Sequence, residues 1–190
     1  KGRPQDHPLI LHVASMNDIN YWAKEISDYA IALARAFWPG PMTLIFKRSE
    51  NAKDFVTGGQ NTVGLRVPDH TLALGLLQEC KKICVHAIAA PSANRFGHVS
   101  PTTAVAVQEE IGAYLAPQDL ILDGGAAQVG LESTIIDCTG DAPKILRPGA
   151  ITQAMIEEAT GLKVSEINNS DIRVSGSLEK HYAPNAQILL

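Results

Sequence analysis

Short apolar runs and helix-spaced apolar positions take turns along this chain. Leu9-Ile10-Leu11-His12-Val13 predicts a short buried strand. Ile19, Trp22, Ala23, Ile26, Ala30, Leu33, Ala34 and Phe37 then keep helical spacing, with Ser15 as a cap and a break near Ser27-Asp28. Trp38-Pro39-Gly40-Pro41 stops that helical region. Met42 to Lys47 and Thr62 to Val67 read as strands, parted by a polar loop containing Gly58-Gly59. His70 to Lys81 is predicted helical, with Leu72, Leu76, Leu77 and Cys80 on its apolar side. Cys84 to Ala90 reads as a strand, and Pro101-Thr102-Thr103 opens a helix reaching Ile111. Leu120 to Leu122, Thr134 to Cys138 and Lys144 to Leu146 are further strands, the last two around a Thr139-Gly140-Asp141-Ala142-Pro143 turn. A final helix runs from Thr152 to Thr160 and ends at Gly161. Interleaved strands and helices with close strand pairs predict an α/β fold on a mixed sheet.

One junction stands out. The apolar run into Ala89-Ala90-Pro91 stops at a proline, and Ser92 and Asn94 follow two residues apart. On extended chain, positions i and i+2 face the same side, so both would face one pocket with Ala93 turned away. Ser and Asn are also ordinary turn residues, so the junction gains meaning only beside Lys1-Gly2-Arg3-Pro4, Gly64-Leu65-Arg66-Val67-Pro68, Leu131-Glu132-Ser133-Thr134 and Leu146-Arg147-Pro148-Gly149.

Composition narrows the classes. With 190 residues, 45% hydrophobic and 19% charged, the chain can bury a core without disulfides or metals. The net charge of −4 argues against broad wrapping of nucleic acid. Cys80, Cys84 and Cys138 show no CxxC pairing and read as reduced thiols of a cytoplasmic protein. No apolar run is long enough to span a membrane, and no signal peptide is visible. The chain starts at Lys1 without a methionine, which leads us to expect a native upstream segment. Residues 166–185 read as a linker that carries Lys180-His181-Tyr182-Ala183-Pro184, and residues 186–190 as the start of a further domain.

Lys1, Arg3, Arg66, Arg147 and His181 punctuate the predicted element ends, a cation supply suited to a polyphosphate. GxxxxGK[ST] and GxGxxG are both absent, which removes the P-loop and dinucleotide-binding readings. Arg66 fits a ligand anion or a buried carboxylate, Arg147 a ligand or a surface turn, and His12 a ligand or a satisfied core position. Ser133 lacks a GxSxG context, which disfavours a hydrolase nucleophile. His70, His86 and His98 lack zinc-site spacing, so no protein-held metal is expected.

These stretches together resemble the YrdC-type threonylcarbamoyl-AMP synthases. The matching pieces are Lys1 to Pro4 with Pro8-Leu9-Ile10 and His12, Trp38 to Leu44, Thr62 to Pro68 with His70, Ala90 to Asn94, Ser100-Pro101-Thr102, Gly130 to Thr134 and Leu146 to Gly149. Ser177 to Pro184 looks like the linker of the long, two-domain form. The resemblance implies a catalytic domain over residues 1–165, with a twisted sheet, flanking helices and a deep basic cavity. It implies synthesis of L-threonylcarbamoyl-AMP from L-threonine, bicarbonate and ATP, with release of pyrophosphate and magnesium carried on the ATP. The product would pass to tRNA-modifying proteins, with direct tRNA contact weak. Residue by residue, Arg3, His7, Thr62, Ala90, Ser92, Asn94, Ser100, Arg147 and His181 match ATP-contacting positions. His12, Arg66 and Ser133 match threonine-contacting positions, and Lys1 and Arg3 would flank the reacting phosphate.

The resemblance has departures. His7 stands where many relatives carry asparagine, and the family's upstream Pro-Thr-Glu/Asp-Thr-like motif is not in this sequence. Two alternatives remain: the carbamoyl-adenylate-handling domain of hydrogenase-maturation carbamoyltransferases, against which the His-Tyr-Ala-Pro cluster speaks, and a noncatalytic RNA-binding module, against which the net charge speaks.

Overall fold

β1 (Ile10–His12), β2 (Ala23–Lys24), β3 (Met42–Arg48), β4 (Thr62–Arg66), β5 (Ile88–Ala89), β6 (Thr134–Asp137) and β7 (Lys144–Arg147) pair into one sheet. The computed structural model describes residues 2, 4, 6–165 and 172–175. The expectations for Lys1, Arg3, His181 and the Lys180-to-Pro184 cluster lie outside the described residues. Strand order is β5-β1-β4-β3-β6-β7, with β2 added against the C-terminal end of β3. β1 runs parallel to β4 and β3 to β6, while the other pairs are antiparallel, so the sheet is mixed.

Strand alternation gives this sheet two unlike sides. On one side Leu11, Met42, Leu44, Phe46, Val63, Leu65 and Ile136 enter the main core. The helices α2 (Asp28–Phe37) and α6 (Gln153–Thr160) meet them with Tyr29, Ala30, Leu33, Ala34 and Ile156. α6 begins as expected, with the Thr152 side chain accepting from the Met155 amide, and it stops at Gly161. Each fully buried Leu or Ile here contributes about 1.5–3 kcal/mol. On the other side, Ile45 and Ile135 form a smaller cluster with Val174, and Thr43, Gly64, Arg66 and His12 share that side by register.

The described residues cluster into two compact units: residues 6–91 with 131–165 and 172–175, and residues 92–130 with 2 and 4. The first holds the sheet. The second contains α5 (Ala104–Ile111), whose expected start is made by the Thr103 side chain accepting from the Ala106 amide.

Tertiary pairing overrides several local expectations. The helical spacing after Ser15 gives only a 3-10 turn and the single-turn α1 (Ile19–Trp22). Ala23 and Lys24 leave the helix to pair with Arg48 and Lys47, which buries Ala23, and an ion pair joins Glu25 to Lys47. The loop before Gly58 contains the short α3 (Asp54–Thr57). Helix α4 (Thr71–Lys82) forms as expected but buries only Leu77; Leu72 and Leu76 are 50% and 42% exposed. A salt bridge from Lys81 to the buried Asp18 secures its last turn. The strand expected over Cys84 to Ala90 is confined to Ile88–Ala89, because Cys84 takes φ 62° in the turn closing α4. Leu120 to Leu122 forms no strand: Leu120 is 83% exposed and finds no pairing partner among the described residues.

Candidate functional site

The threonine-contacting positions expected from the sequence share one face of one sheet. His12 and Arg66 are direct register partners at the C-terminal ends of the parallel strands β1 and β4. The Trp38-to-Pro41 turn fixes the arginine. Gly40 donates its amide to the Val67 carbonyl at 2.9 Å, and Arg66 Nε donates to the Gly40 carbonyl at 2.9 Å. No carboxylate lies within ion-pair distance of Arg66 among the described residues, so its two terminal nitrogens are available. That favours the ligand reading over the buried-carboxylate one.

His12 is held neutral. Burial, then the neighbouring Arg66 charge, lower its pKa from 6.5 to about 4, with the Ile10 backbone acting weakly the other way. Its Nδ1 is buried with no hydrogen-bond partner among the described residues. A core histidine satisfied by its neighbours would not leave this atom bare.

Arg147 reaches the same face through a bulge. Pairing steps from Ile136↔Ile145 to Ile135↔Arg147, which leaves Leu146 as the surplus residue of β7. Leu146 packs with the Ile45–Ile135–Val174 cluster, while Arg147 turns onto Ser133. Arg147 Nε and Nη2 donate to the Ser133 carbonyl at 3.0 and 2.8 Å, Nη2 also donates to Ser133 Oγ at 3.0 Å, and Nη1 donates to the Ser175 carbonyl at 2.7 Å. The Glu132 carboxylate lies 3.6 Å from Nη2. Arg147 is buried, which removes the surface-turn reading.

Two residues that the sequence reading passed over complete this arrangement. Thr43, fully buried on β3, places Oγ1 2.7 Å from Ser133 Oγ. Gly149 admits the Ser133 loop: a Cβ there would stand 2.6 Å from the Glu132 carbonyl oxygen and the Thr134 amide. Thr134 does structural work beneath, as its Oγ1 both donates to the Ile151 carbonyl and accepts from the Ile151 amide, each at 3.0 Å. The Trp38-to-Leu44 and Leu146-to-Gly149 stretches carried the available signal, but neither spacing nor composition singles out Thr43 or Gly149.

Residues 172–175 lie across this side. Gln60 and Arg173 exchange two hydrogen bonds, at 3.0 and 2.7 Å, and Arg173 also reaches Asp6 and the Gly58 carbonyl at 3.0 and 2.8 Å. A hollow open to solvent lies against Thr62, Gly64, Ile45, Ile135 and Val174. Arg173 is its one lining cation, and this hollow does not show the deep basic cavity that the resemblance implies. Ala90 follows β5 and donates its amide to the Ile10 carbonyl at 3.2 Å, and His7 is half-buried in the turn before β1.

Ser92, Asn94 and Ser100 belong to the second unit. Asn94 is buried, and its Nδ2 donates to the carbonyls of Arg95 and His98 at 2.7 and 2.9 Å, closing its own loop. Its Oδ1 has no partner among the described residues. The chain bends at Ala93 and Asn94 instead of continuing extended, so the i, i+2 argument for a shared pocket loses its premise. His98 pairs with Glu110 at 2.8 Å, and the same carboxylate accepts from the Arg95 amide at 3.0 Å.

Known proteins match along this whole layout. The Sua5/YciO/YrdC family, described as Telomere recombination, matches residues 1–149. A Pyrococcus abyssi protein named threonylcarbamoyl-AMP synthase is 40% identical over all of this chain and 55% of its own length. A Bacillus subtilis protein of the same name is 39% identical, again over the whole chain and 54% of its own length. A crystal structure of Pyrococcus abyssi Sua5 complexed with L-threonine superposes with a TM-score of 0.87 at 41% identity, over 98% of this chain and 54% of that one. The chain spans about half the length of the curated relatives it matches.

Proposed function

The chain belongs to the Sua5/YciO/YrdC family, and on that premise we propose that it carries out synthesis of L-threonylcarbamoyl-AMP from L-threonine, bicarbonate and ATP, releasing pyrophosphate. The observation that carries this reading is similarity along the entire chain to relatives named for that product. The threonine amine adds to bicarbonate-derived CO₂ and forms a carbamate. A carbamate oxygen then attacks the α-phosphorus of ATP, and pyrophosphate leaves with the electron pair of the broken bond. The carbamate, the amino-acid carboxylate and the triphosphate all bear negative charge, so fixed cations and oriented donors do most of the work.

Arg66, its Nε anchored on Gly40, offers two nitrogens to the threonine carboxylate. Neutral His12 presents a bare ring nitrogen beside it, and Ser133 a hydroxyl. His7, Thr62, Ala90, Ser92, Asn94, Ser100 and Arg147 take the nucleotide, together with Arg3 and His181; Lys1 and Arg3 flank the reacting phosphate. Magnesium would be carried on the ATP phosphates. It would supply charge neutralisation there. The product is handed to tRNA-modifying proteins in the cytoplasm, with only weak direct contact to tRNA. Among the described residues no helix is long and apolar enough to cross a membrane.

Pyrophosphate release from ATP, measured with and without threonine and bicarbonate, tests the activity. Release that ignores threonine rules the synthase out. Arg66→Ala is expected to weaken threonine binding by about 2 kcal/mol, roughly 30-fold, and ATP binding by less than about twofold. Equal losses by calorimetry would remove Arg66 from its threonine role.

A further inference from the structure

The hydroxyl pair of Thr43 and Ser133 poses a counting problem with one solution. A hydroxyl has one proton and two acceptor sites. Ser133 Oγ accepts one hydrogen bond from Arg147 Nη2 at 3.0 Å, and an arginine can only donate. Thr43 Oγ1 sits 2.7 Å from Ser133 Oγ, and its residue is fully buried on β3. Among the described residues Ser133 is the one acceptor in reach of the Thr43 proton. If Ser133 donated to Thr43, the buried Thr43 proton would be left without an acceptor, at a cost of about 1–3 kcal/mol. If Thr43 donates, both acceptor sites on Ser133 are filled, and the serine proton is the only part of that hydroxyl left to address a ligand.

We propose that Thr43 is a positioning residue that commits Ser133 as a hydrogen-bond donor, so that the ligand atom facing Ser133 is an acceptor oxygen and not an ammonium. Thr43 touches no ligand in this scheme; it acts through Ser133. Arg147 supplies the second lock, and its bonds to the Ser133 carbonyl at 3.0 and 2.8 Å keep the backbone from turning away. The inference rests on the threonine-binding reading of this face and adds to it which partner chemistry Ser133 selects.

The test uses the intact protein and isothermal calorimetry with L-threonine and ATP. Thr43→Val keeps shape and removes the proton, and is expected to weaken threonine binding about tenfold, leaving ATP within about twofold. Thr43→Ser restores the proton and is expected to recover affinity to within about twofold. Placed on Ser133→Ala, Thr43→Val is expected to add nothing further, since its only route is gone. A crystal with L-threonine is expected to show a ligand oxygen within about 3.2 Å of Ser133 Oγ. Unaltered affinity in Thr43→Val, failure of Thr43→Ser to recover it, full additivity with Ser133→Ala, or the amine nitrogen at Ser133 would each overturn the assignment. Absence of threonine binding in the unaltered protein would instead overturn the functional reading, and this inference with it.

Discussion

The two faces of the sheet are built from the same strands and obey different rules. Toward α2 and α6, β3 and β4 send Met42, Leu44, Phe46, Val63 and Leu65 into a closed apolar layer. Toward the other side the same strands send Thr43, Ile45, Gly64 and Arg66, and β1 adds His12. The first face gains stability from area removed from water. The second keeps groups that cost free energy to bury: a bare imidazole nitrogen, an arginine with terminal donors to spare and a hydroxyl pair. Strand alternation allows one element to serve both ends, with each residue bound to one task.

The contrast can be broken from either side. Leu44→Ala, on the helix face, is expected to cost about 2–5 kcal/mol in urea unfolding. A loss below about 1 kcal/mol would mean that this layer is not the main source of stability. Next comes pH. The unfolded chain binds a proton at His12 below 6.5, while the folded chain resists until about 4. The unfolded state therefore holds more protons across that window, and stability falls by about 3 kcal/mol as pH drops from 6.5 to 4. In His12→Gln that part of the slope should vanish; an identical slope would assign the titration elsewhere. Gly64→Ala is expected to change stability by less than about 1 kcal/mol, although its Cβ would sit 3.0 Å from the Ile45 Cδ1 methyl. That methyl belongs to a side chain that can move. A loss above about 2 kcal/mol would show this face to be packed as rigidly as its opposite.

Apolar periodicity located β3, β4 and β6 because those strands bury apolar runs, and α6 through its end signals, Thr152 before it and Gly161 after it; it also located β1, β7 and α4, which bury one residue each. It failed where long-range pairing decided the outcome. Ala23 and Lys24 keep helical spacing yet join β3. Leu120 and Leu122 are apolar enough for a strand yet meet no partner among the described residues. In the candidate site, Arg66 and His12 drew notice as charged or polar groups at strand ends among apolar neighbours, while the grouping of His12, Arg66 and Ser133 came from the family resemblance and not from their spacing. Thr43 was hidden in an apolar run, where a threonine reads as an ordinary β-former. The Ser92–Asn94 argument assumed extended chain, and the bend at Ala93 and Asn94 is a local choice that turn residues make without announcing it.

The bulge at Leu146 decides which side of the sheet Arg147 reaches. Paired without the bulge, the same residues would set Leu146 opposite Ile135 and Arg147 one step further on: the guanidinium would be driven among the alanines and leucines beneath the helices, and the serine loop would meet a hydrocarbon in its place. Loss of Leu146 itself would keep Arg147 opposite Ile135 in an unbroken ladder, so the position of the guanidinium hangs on the local pairing and not on the number of residues.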